Sequence, residues 1–199
     1  MFVSDEDLMI ECGKGDMSAF ELLVRRYQDS IVSYIHITIN DYHRAEDLAQ
    51  ETFLRVLKNA HRYKPTAAFK NWLYTIATNL SRNEIRNRVR RNTYFIEDMV
   101  KSEEDIYHSP IMTDVRNQPD LLLEKKEQQQ IIKKALSQLP DNQRIALTLV
   151  TYQELSYDEV AEILECTVGA VKSLIHRARQ NMKNQLIKVG IGGNVNVKI

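Results

Sequence analysis

Hydrophobic residues in this chain recur at helical spacing rather than in strict alternation with polar ones. The clearest case follows Asp41, where apolar side chains return at steps of three, one and four residues and so share one helical face. They are Ala45, Leu48, Ala49, Phe53, Val56, Leu57 and Ala60. Only 6 Gly and 4 Pro interrupt the 199 residues. The pattern predicts an all-α protein.

Helix starts are indicated by polar residues that can accept hydrogen bonds from the free backbone N–H groups of a first turn. The candidate caps are Ser4 with Asp7, Ser18 with Glu21, Asp41, Ser156 with Glu159, and Thr167. Pro65 breaks the helical pattern after Tyr63, and Pro140 ends a helix predicted over 121–139. Between these caps and proline breaks we expect one short helix and several long ones.

Periodicity fades from about Asn92 to Pro119, and this divides the chain. We predict two small helical domains, 1–91 and 121–187, joined by an extended acidic linker, 92–120, with a Gly-rich tail at 188–199. A stretch of that length without helical pattern favours a tether between domains over a compact loop.

Charge is sorted along the chain although its formal net charge is zero. From Arg62 to Arg91 there are eight basic residues against Glu84 alone. From Asn92 to Gln129 nine acidic residues stand against four basic ones, and from Lys172 to Lys188 five basic residues stand alone. Two basic zones therefore flank an acidic one, and a polyanion would encounter these patches separately.

Several functional classes find no support in the sequence. No run of about 18 apolar residues is present, which argues against a membrane span. The acidic N-terminus does not resemble an export signal, so we expect a cytoplasmic protein. Cys12 and Cys166 are far apart and lack CxxC or His-rich neighbours, which argues against a disulfide or metal site and predicts two ordinary thiols. We expect no cofactor.

The segment from Ser156 to Gln185 has the layout of a helix-turn-helix, with an acidic first helix and a basic second one. Val171, Ile175 and Met182 can pack inward on the second helix. The side chains left for its other faces include Lys172, Ser173, His176 and Arg177. A basic second helix is suited to the DNA major groove, although a solvated face on a helix that only packs is the alternative.

The segment Asn71–Arg91 sets the chain's only Trp against its densest run of Arg. Asn79, Arg82, Asn83 and Arg86 fall on one polar helical face. Tyr63, Phe69 and Trp72 surround the basic loop before it. Aromatic rings beside a cationic groove are typical of single-stranded nucleic-acid sites, where bases stack on the rings. The alternative is a core Trp beside a solvated helix end.

The helix that follows Asp41 has a second, acidic face containing Asp47, Gln50 and Glu51. This face is too acidic for DNA. It is either a solvated surface or the docking surface for a basic partner, and the residues alone leave both open.

The segments AEDLAQETF and NWLYTIATN, in this order and followed by a helix-turn-helix, resemble the extracytoplasmic-function sigma factors, the smallest bacterial initiation factors of the sigma-70 type. The resemblance runs from about Asp16 to Leu186. It implies a sigma-2-like helical bundle, a sigma-4-like helix-turn-helix domain, and a protein that directs RNA polymerase to promoters.

The resemblance also implies roles for particular residues. Asp47, Gln50 and Glu51 match positions that dock on core RNA polymerase. The loop and helix containing Tyr63, Phe69, Trp72, Asn79, Arg82, Asn83 and Arg86 resemble the part that melts and reads the −10 promoter element. Lys172, Ser173, His176 and Arg177 match positions that read the −35 element. The acidic linker resembles the segment that threads the polymerase channel, and an anti-sigma factor is an expected partner.

A stand-alone helix-turn-helix regulator, with an N-terminal sensing or dimerisation domain, is compatible with the C-terminal half alone. An enzyme is not supported, because the five His are scattered and no HExxH, GxSxG, Walker or GxGxxG pattern occurs.

Overall fold

A computed structural model of the chain describes residues 3–65, 68–98 and 130–188. Within these ranges all regular secondary structure is helical, as predicted. The helices are α1 (Asp5–Gly13), α2 (Met17–Ile39), α3 (Tyr42–Asn59), a 3₁₀ turn (Ala60–Arg62), α4 (Phe69–Asp98), α5 (130–137), α6 (Asp141–Thr151), α7 (Tyr157–Leu164) and α8 (Val168–Lys188). In the described ranges no helix is both long and apolar enough to cross a membrane.

Most of the predicted helix caps are confirmed. The Ser4 hydroxyl accepts from the Asp7 backbone N–H, Asp41 accepts from Arg44 N at 3.0 Å, and Ser156 forms a reciprocal capping box with Glu159. Thr167 accepts from Ala170 N at 3.2 Å at the start of α8. The predicted Ser18–Glu21 cap is wrong. Asp16 caps α2 instead, accepting from Ser18 N at 2.8 Å, because α2 begins at Met17.

Helix α4 is longer than the predicted domain boundary allows. It continues to Asp98, so the first seven residues of the predicted linker are helical. The remainder of that linker, the first part of the helix predicted over 121–139 and the predicted Gly-rich tail beyond Lys188 lie outside the described residues.

Helices α1 to α4, here called the N-terminal half, enclose an apolar core. The predicted inward face of α3 is buried at Ala45, Leu48, Ala49, Phe53 and Val56. Across from it, Tyr34 and Tyr74 are fully buried, and their rings meet edge to face with centroids 5.3 Å apart. Tyr34 shares a 2.6 Å hydrogen bond with Thr78, which satisfies its hydroxyl in the core.

Helices α5 to α8 form the C-terminal half, in which α7 and α8 make the predicted helix-turn-helix. Val171, Ile175 and Met182 of α8 are buried as predicted, and they pack with the buried residues Val160, Ala161 and Leu164 of α7. The left-handed residue of the turn is Glu165, with φ +54°. Cys166, which stands where Gly is frequent in such turns, is therefore not required to adopt a positive φ.

The two halves are packed against each other, which a tether between separate domains did not predict. Helix α7 lies on α4, and α6 lies on α2. Buried apolar side chains from both halves form one continuous core. The Arg144 side chain of α6 crosses this contact and donates to the carbonyl of Thr38 in α2 at 2.8 Å.

Candidate nucleic-acid and polymerase interfaces

A cavity of about 590 Å³ opens where α3, the 3₁₀ turn and α4 meet. Its walls include Arg55, Arg62, Lys64, Tyr63, Trp72 and Asn79. Together with Asn59 and Ile76, these three cations, two rings and one amide surround one concave space. The cations suit a phosphate backbone, and the rings and the amide suit a nucleobase.

The aromatic residues at this cavity have unequal exposure. The Tyr63 and Trp72 rings are half-buried, and their centroids are 5.3 Å apart. Phe69 is fully buried, with its ring against Tyr27, Tyr63 and Trp72. The predicted DNA contact by Phe69 is therefore corrected: its side chain is a core anchor beneath the cavity and has no free face for a base.

Tyr63 has an unusual hydroxyl. It is buried and has no hydrogen-bond partner among the described protein residues. Burial, followed by the nearby carboxylates of Glu6 and Asp5, raises the pKa of this hydroxyl. It therefore stays protonated at neutral pH and can donate a hydrogen bond.

The predicted polar face of α4 is largely available. Asn79, Asn83 and Arg86 are exposed. Arg82 is half-buried and donates to the Asn142 side-chain oxygen of α6 at 3.3 Å, so the C-terminal half partly covers it.

The remaining Arg residues of α4 are not all available for DNA. Glu84, whose side chain is only 5% exposed, accepts from Arg88 at 3.2 Å and from Arg91 at 2.9 Å. Arg88 also donates to Asp41 at 2.7 Å. One buried carboxylate therefore binds both Arg88 and Arg91, which leaves their side chains less available for DNA.

The same carboxylate is bound from α3 by Arg44 at 3.0 Å. Burial by itself would raise the pKa of Glu84, but the hydrogen bonds and charges of Arg44 and Arg88 outweigh it and hold that pKa below its usual value. Glu84 therefore remains charged at neutral pH, and it fixes the start of α3 against α4.

The predicted docking face lies on the solvent side of α3. Asp47 and Gln50 are exposed, while Glu51 is half-buried and accepts from Arg55 at 2.5 Å. Leu54, which the sequence reasoning missed, is 54% exposed one turn after Gln50. The spacing of Asp47, Gln50, Glu51 and Leu54 at three and four residues could have identified it. An exposed Leu beside carboxylates provides an apolar contact within an acidic surface.

On α8 the four predicted DNA-reading residues, Lys172, Ser173, His176 and Arg177, are all exposed. Val171, Ile175 and Ala178 are buried against α6 and α7 and fix the direction of this face.

The sequence reasoning also missed Arg55 and Asn59 at the cavity. They lie one turn apart on α3, and only the fold places them opposite α4.

The described residues hold no group of three or more His, Cys, Asp or Glu side chains placed to bind a metal ion.

Two family models match the chain, Sigma-70 region 2 over residues 23–91 and Sigma-70 region 4 over residues 129–182. The chain is 31% identical to the RNA polymerase sigma-H factor of Pseudomonas aeruginosa over 182 residues, covering 92% of this chain and 93% of that protein. It is 32% identical to the ECF RNA polymerase sigma-E factor of Escherichia coli K12 over 186 residues, covering 92% and 95%.

The chain belongs to the extracytoplasmic-function sigma factors of the sigma-70 family. It directs promoter-specific initiation of transcription by RNA polymerase. Since both matched regions occur in one chain, the alternative of a stand-alone helix-turn-helix regulator is set aside.

Solved structures agree with this fold. The sigma factor RpoE of Bartonella quintana, in complex with the anti-sigma factor NepR, matches with a TM-score of 0.60 and 26% identity over 84% of this chain and 96% of that one. CnrH, in complex with the cytosolic domain of CnrY, matches with a TM-score of 0.67 and 20% identity over 94% and 99%. The CnrH likeness shows the fold alone.

Proposed function

We propose that this sigma factor divides promoter recognition between its two halves. The cavity at α3–α4 receives a base unstacked from the melted −10 element, and the exposed face of α8 reads the −35 element in the major groove. The observation that carries the proposal is the cavity itself, in which rings, an amide and cations surround a space of about 590 Å³.

Each wall of the cavity has a chemical task. The half-buried Trp72 and Tyr63 rings stack on the extruded base, a contact that contributes about 1–3 kcal/mol in single-strand binding sites. The Asn79 amide hydrogen-bonds its edge. Arg62 and Lys64 neutralise the phosphates on either side.

The acidic face of α3 docks on core RNA polymerase. Asp47, Gln50 and Glu51 supply the polar contacts, and Leu54 adds an apolar one beside them, one turn after Gln50. The factor adds binding and melting to the polymerase and no catalysis of its own.

Simultaneous reading of both elements requires the halves to separate. Because α4 packs on α7 and α7 packs on α8, and packed helices lie about 10 Å apart, the two DNA-reading helices are only about 20 Å apart in this structure. The −10 and −35 elements are about 25 base pairs apart, which is about 85 Å of duplex at 3.4 Å per step. The part of the predicted linker that follows Asp98, which lies outside the described residues, would span the opened form.

An anti-sigma factor is also proposed as a partner. The support is the similarity to the Bartonella RpoE, which was solved with its anti-sigma factor NepR. An anti-sigma factor that holds the two halves together would prevent the α4 and α8 surfaces from binding the −10 and −35 elements at the same time.

Binding of a single-stranded −10 oligonucleotide to the holoenzyme tests the cavity assignment. Asn79→Ala should weaken binding about tenfold, in line with the loss of one base contact. Asn87→Ala is the matched control, because Asn87 is exposed on α4 and does not line the cavity. Equal affinities for the two variants would contradict the assignment.

A further inference from the structure

Helix α1 lies before the region that the Sigma-70 region 2 model covers, yet it packs against the segments that form the cavity at α3–α4, here called the −10 cavity. The family model begins at residue 23, whereas α1 spans Asp5–Gly13. Helix α1 packs against the 3₁₀ turn, against α4 and against α2. It therefore reaches both of the segments that carry the cavity walls.

The first of these contacts holds the start of α4. A Glu6 side-chain oxygen accepts a hydrogen bond from the backbone N–H of Phe69 at 2.9 Å. Phe69 is the first residue of α4, and its N–H is one of the donors that the helix itself cannot satisfy. A carboxylate from a different helix thus caps α4, at the helix end where negative charge is favoured.

The second contact holds the turn on the other side of the cavity. Gly13, the last residue of α1, lies directly against the Ala60 carbonyl: a Cβ atom at Gly13 would be only 2.7 Å from that oxygen. Ala60 begins the 3₁₀ turn that leads into the cavity residues Arg62 and Tyr63. The absence of a side chain at Gly13 permits this approach.

A third set of contacts links α1 to the Phe69 ring, which lies beneath the cavity. Asp5 accepts hydrogen bonds from Arg26 at 2.5 Å and from the Tyr27 hydroxyl. The Tyr27 ring in turn meets the Phe69 ring edge to face, with centroids 5.7 Å apart. Phe69 is fully buried against Tyr63 and Trp72.

We propose that α1 positions the −10 cavity, with Glu6 as the positioning residue that sets α4 against the 3₁₀ turn. The inference rests on the proposed function of the cavity. Glu6 touches no DNA in this account. It fixes the first turn of α4, and thereby the position of the Trp72 ring against the Tyr63 ring in the cavity wall.

The binding consequence follows from preorganisation. A base that stacks on the surface formed by the Trp72 and Tyr63 rings contacts both of them only while the two rings stay packed against each other, with centroids 5.3 Å apart. If the start of α4 frays, the cavity is formed for only part of the time. The affinity for a base is then the affinity of the formed cavity multiplied by the fraction of molecules in which the cavity is formed. The −35 surface on α8 does not depend on this contact.

Two variants separate the hydrogen bond from the charge. Glu6→Ala removes the acceptor, whereas Glu6→Gln keeps an amide oxygen that can still accept from Phe69 N. Glu11→Ala is the control on the same helix, because Glu11 is exposed and pairs only with Lys14 in the described residues. Thermal unfolding of all three identifies any variant that is not folded at the assay temperature.

The first measurement is amide hydrogen exchange of the full-length protein. Glu6→Ala should raise the exchange rate of peptides that contain residues 69–72 by about tenfold, the effect of losing one helix cap, while Glu6→Gln and Glu11→Ala stay near wild type. Unchanged exchange in Glu6→Ala would overturn the inference, whatever the cavity binds.

The second measurement uses the holoenzyme and a single-stranded −10 oligonucleotide from a promoter that the wild type transcribes. An abasic residue is placed at each position in turn, and the ratio of intact to abasic affinity reports base capture. Glu6→Ala should lower the largest ratio about three- to tenfold and leave affinity for duplex −35 DNA unchanged. If Glu6→Ala instead lowered the affinity for every oligonucleotide equally and left the ratios of intact to abasic affinity unchanged, Glu6 would contribute only to general stability. That result would overturn the inference.

These measurements also separate failure of the inference from failure of the proposed function. If wild-type holoenzyme shows no preference for any intact base, the cavity is not a base site and the proposed function fails. The exchange experiment would still report whether Glu6 holds α4.

Discussion

Arg44 of α3 donates a hydrogen bond from its Nε atom to the Oε2 atom of Glu84 on α4 over 3.0 Å. Arg44 also reaches Asp47 of the docking face at 3.5 Å, and Glu84 also binds Arg88 and Arg91. One buried carboxylate therefore joins the helix proposed to dock on polymerase to the helix proposed to bind DNA.

Replacing Glu84 with Gln should destabilise the protein by about 2–3 kcal/mol, because the positive charges of Arg44, Arg88 and Arg91 lose their shared anion. Denaturant unfolding at pH 7 measures this loss. Arg86→Gln removes a charge from the same helix without breaking a described ion pair and should change stability by less than about 0.5 kcal/mol.

The Glu84 substitution also predicts a pH dependence. The pKa of Glu84 is lower in the folded protein than its ordinary value, so its contribution is complete above the ordinary pKa of about 4.3 and is lost as pH falls through the lower folded value. Wild type should therefore lose more stability than Glu84→Gln between about pH 5 and pH 3. Parallel stability curves for the two proteins would contradict the role assigned to this carboxylate.

A methyl group at Gly13 should be poorly tolerated. The added Cβ would be 2.7 Å from the Ala60 carbonyl oxygen, a backbone atom that cannot rotate away. Gly13→Ala should lower stability by about 1–3 kcal/mol. Gly169→Ala is the matched control, since its Cβ meets only Thr167 at 3.8 Å, and in an exposed helix it should stabilise by up to about 1 kcal/mol. The order of the two unfolding midpoints checks the prediction.

The contact between the halves should respond to charge at Asn71. The Asn71 amide nitrogen donates to Glu162 of α7 at 3.0 Å, and Asn71 is 7% exposed. Asn71→Asp replaces that donor with a second carboxylate, so the halves should separate and the radius of gyration measured by small-angle X-ray scattering should increase.

Adding Glu162→Gln to Asn71→Asp restores a donor opposite an acceptor, and the double variant should return towards the wild-type radius. Glu162→Gln alone should remain closed, because an Asn–Gln pair can still hydrogen-bond. An Asn71→Asp protein as compact as wild type would show that this hydrogen bond does not help hold the halves together.

DNA reading by α8 has its own substitution. Arg177→Ala should weaken binding of the holoenzyme to a −35 duplex by about 1–3 kcal/mol, the effect of losing one base contact. Lys183→Ala, exposed two turns further along α8, should act weakly and without dependence on sequence. Fluorescence anisotropy with the holoenzyme on matched and mismatched duplexes measures both. Equal losses on the two duplexes would assign Arg177 to the phosphate backbone.

Much of the fold could be predicted from local pattern, because its main signals are local. The apolar steps after Asp41 and the capping box at Ser156 specify α3 and α7 without reference to the rest of the chain. The buried faces of the helix-turn-helix follow from the same spacing. The residue at which α2 begins could not be predicted in this way, because Asp16 and Ser18 are both good capping residues two positions apart.

The arrangement of the candidate sites was less accessible to sequence reasoning, because it depends on contacts between distant residues. The burial of Phe69 depends on Tyr27, and the use of Arg88 and Arg91 depends on the single buried Glu84. The packing of α7 on α4 depends on pairs such as Asn71 and Glu162, which are 91 residues apart. The distribution of charged residues along the sequence does not show which of them are in contact in the folded protein.

Run-off transcription with purified core RNA polymerase tests the central claim most directly. Wild-type protein should produce transcripts with defined start sites from genomic promoter fragments that core enzyme alone does not transcribe. The Asp47→Ala, Glu51→Ala double variant should lose this stimulation while keeping its fold. Absence of specific transcripts with wild-type protein on every fragment, or full stimulation by the docking variant, would contradict the account.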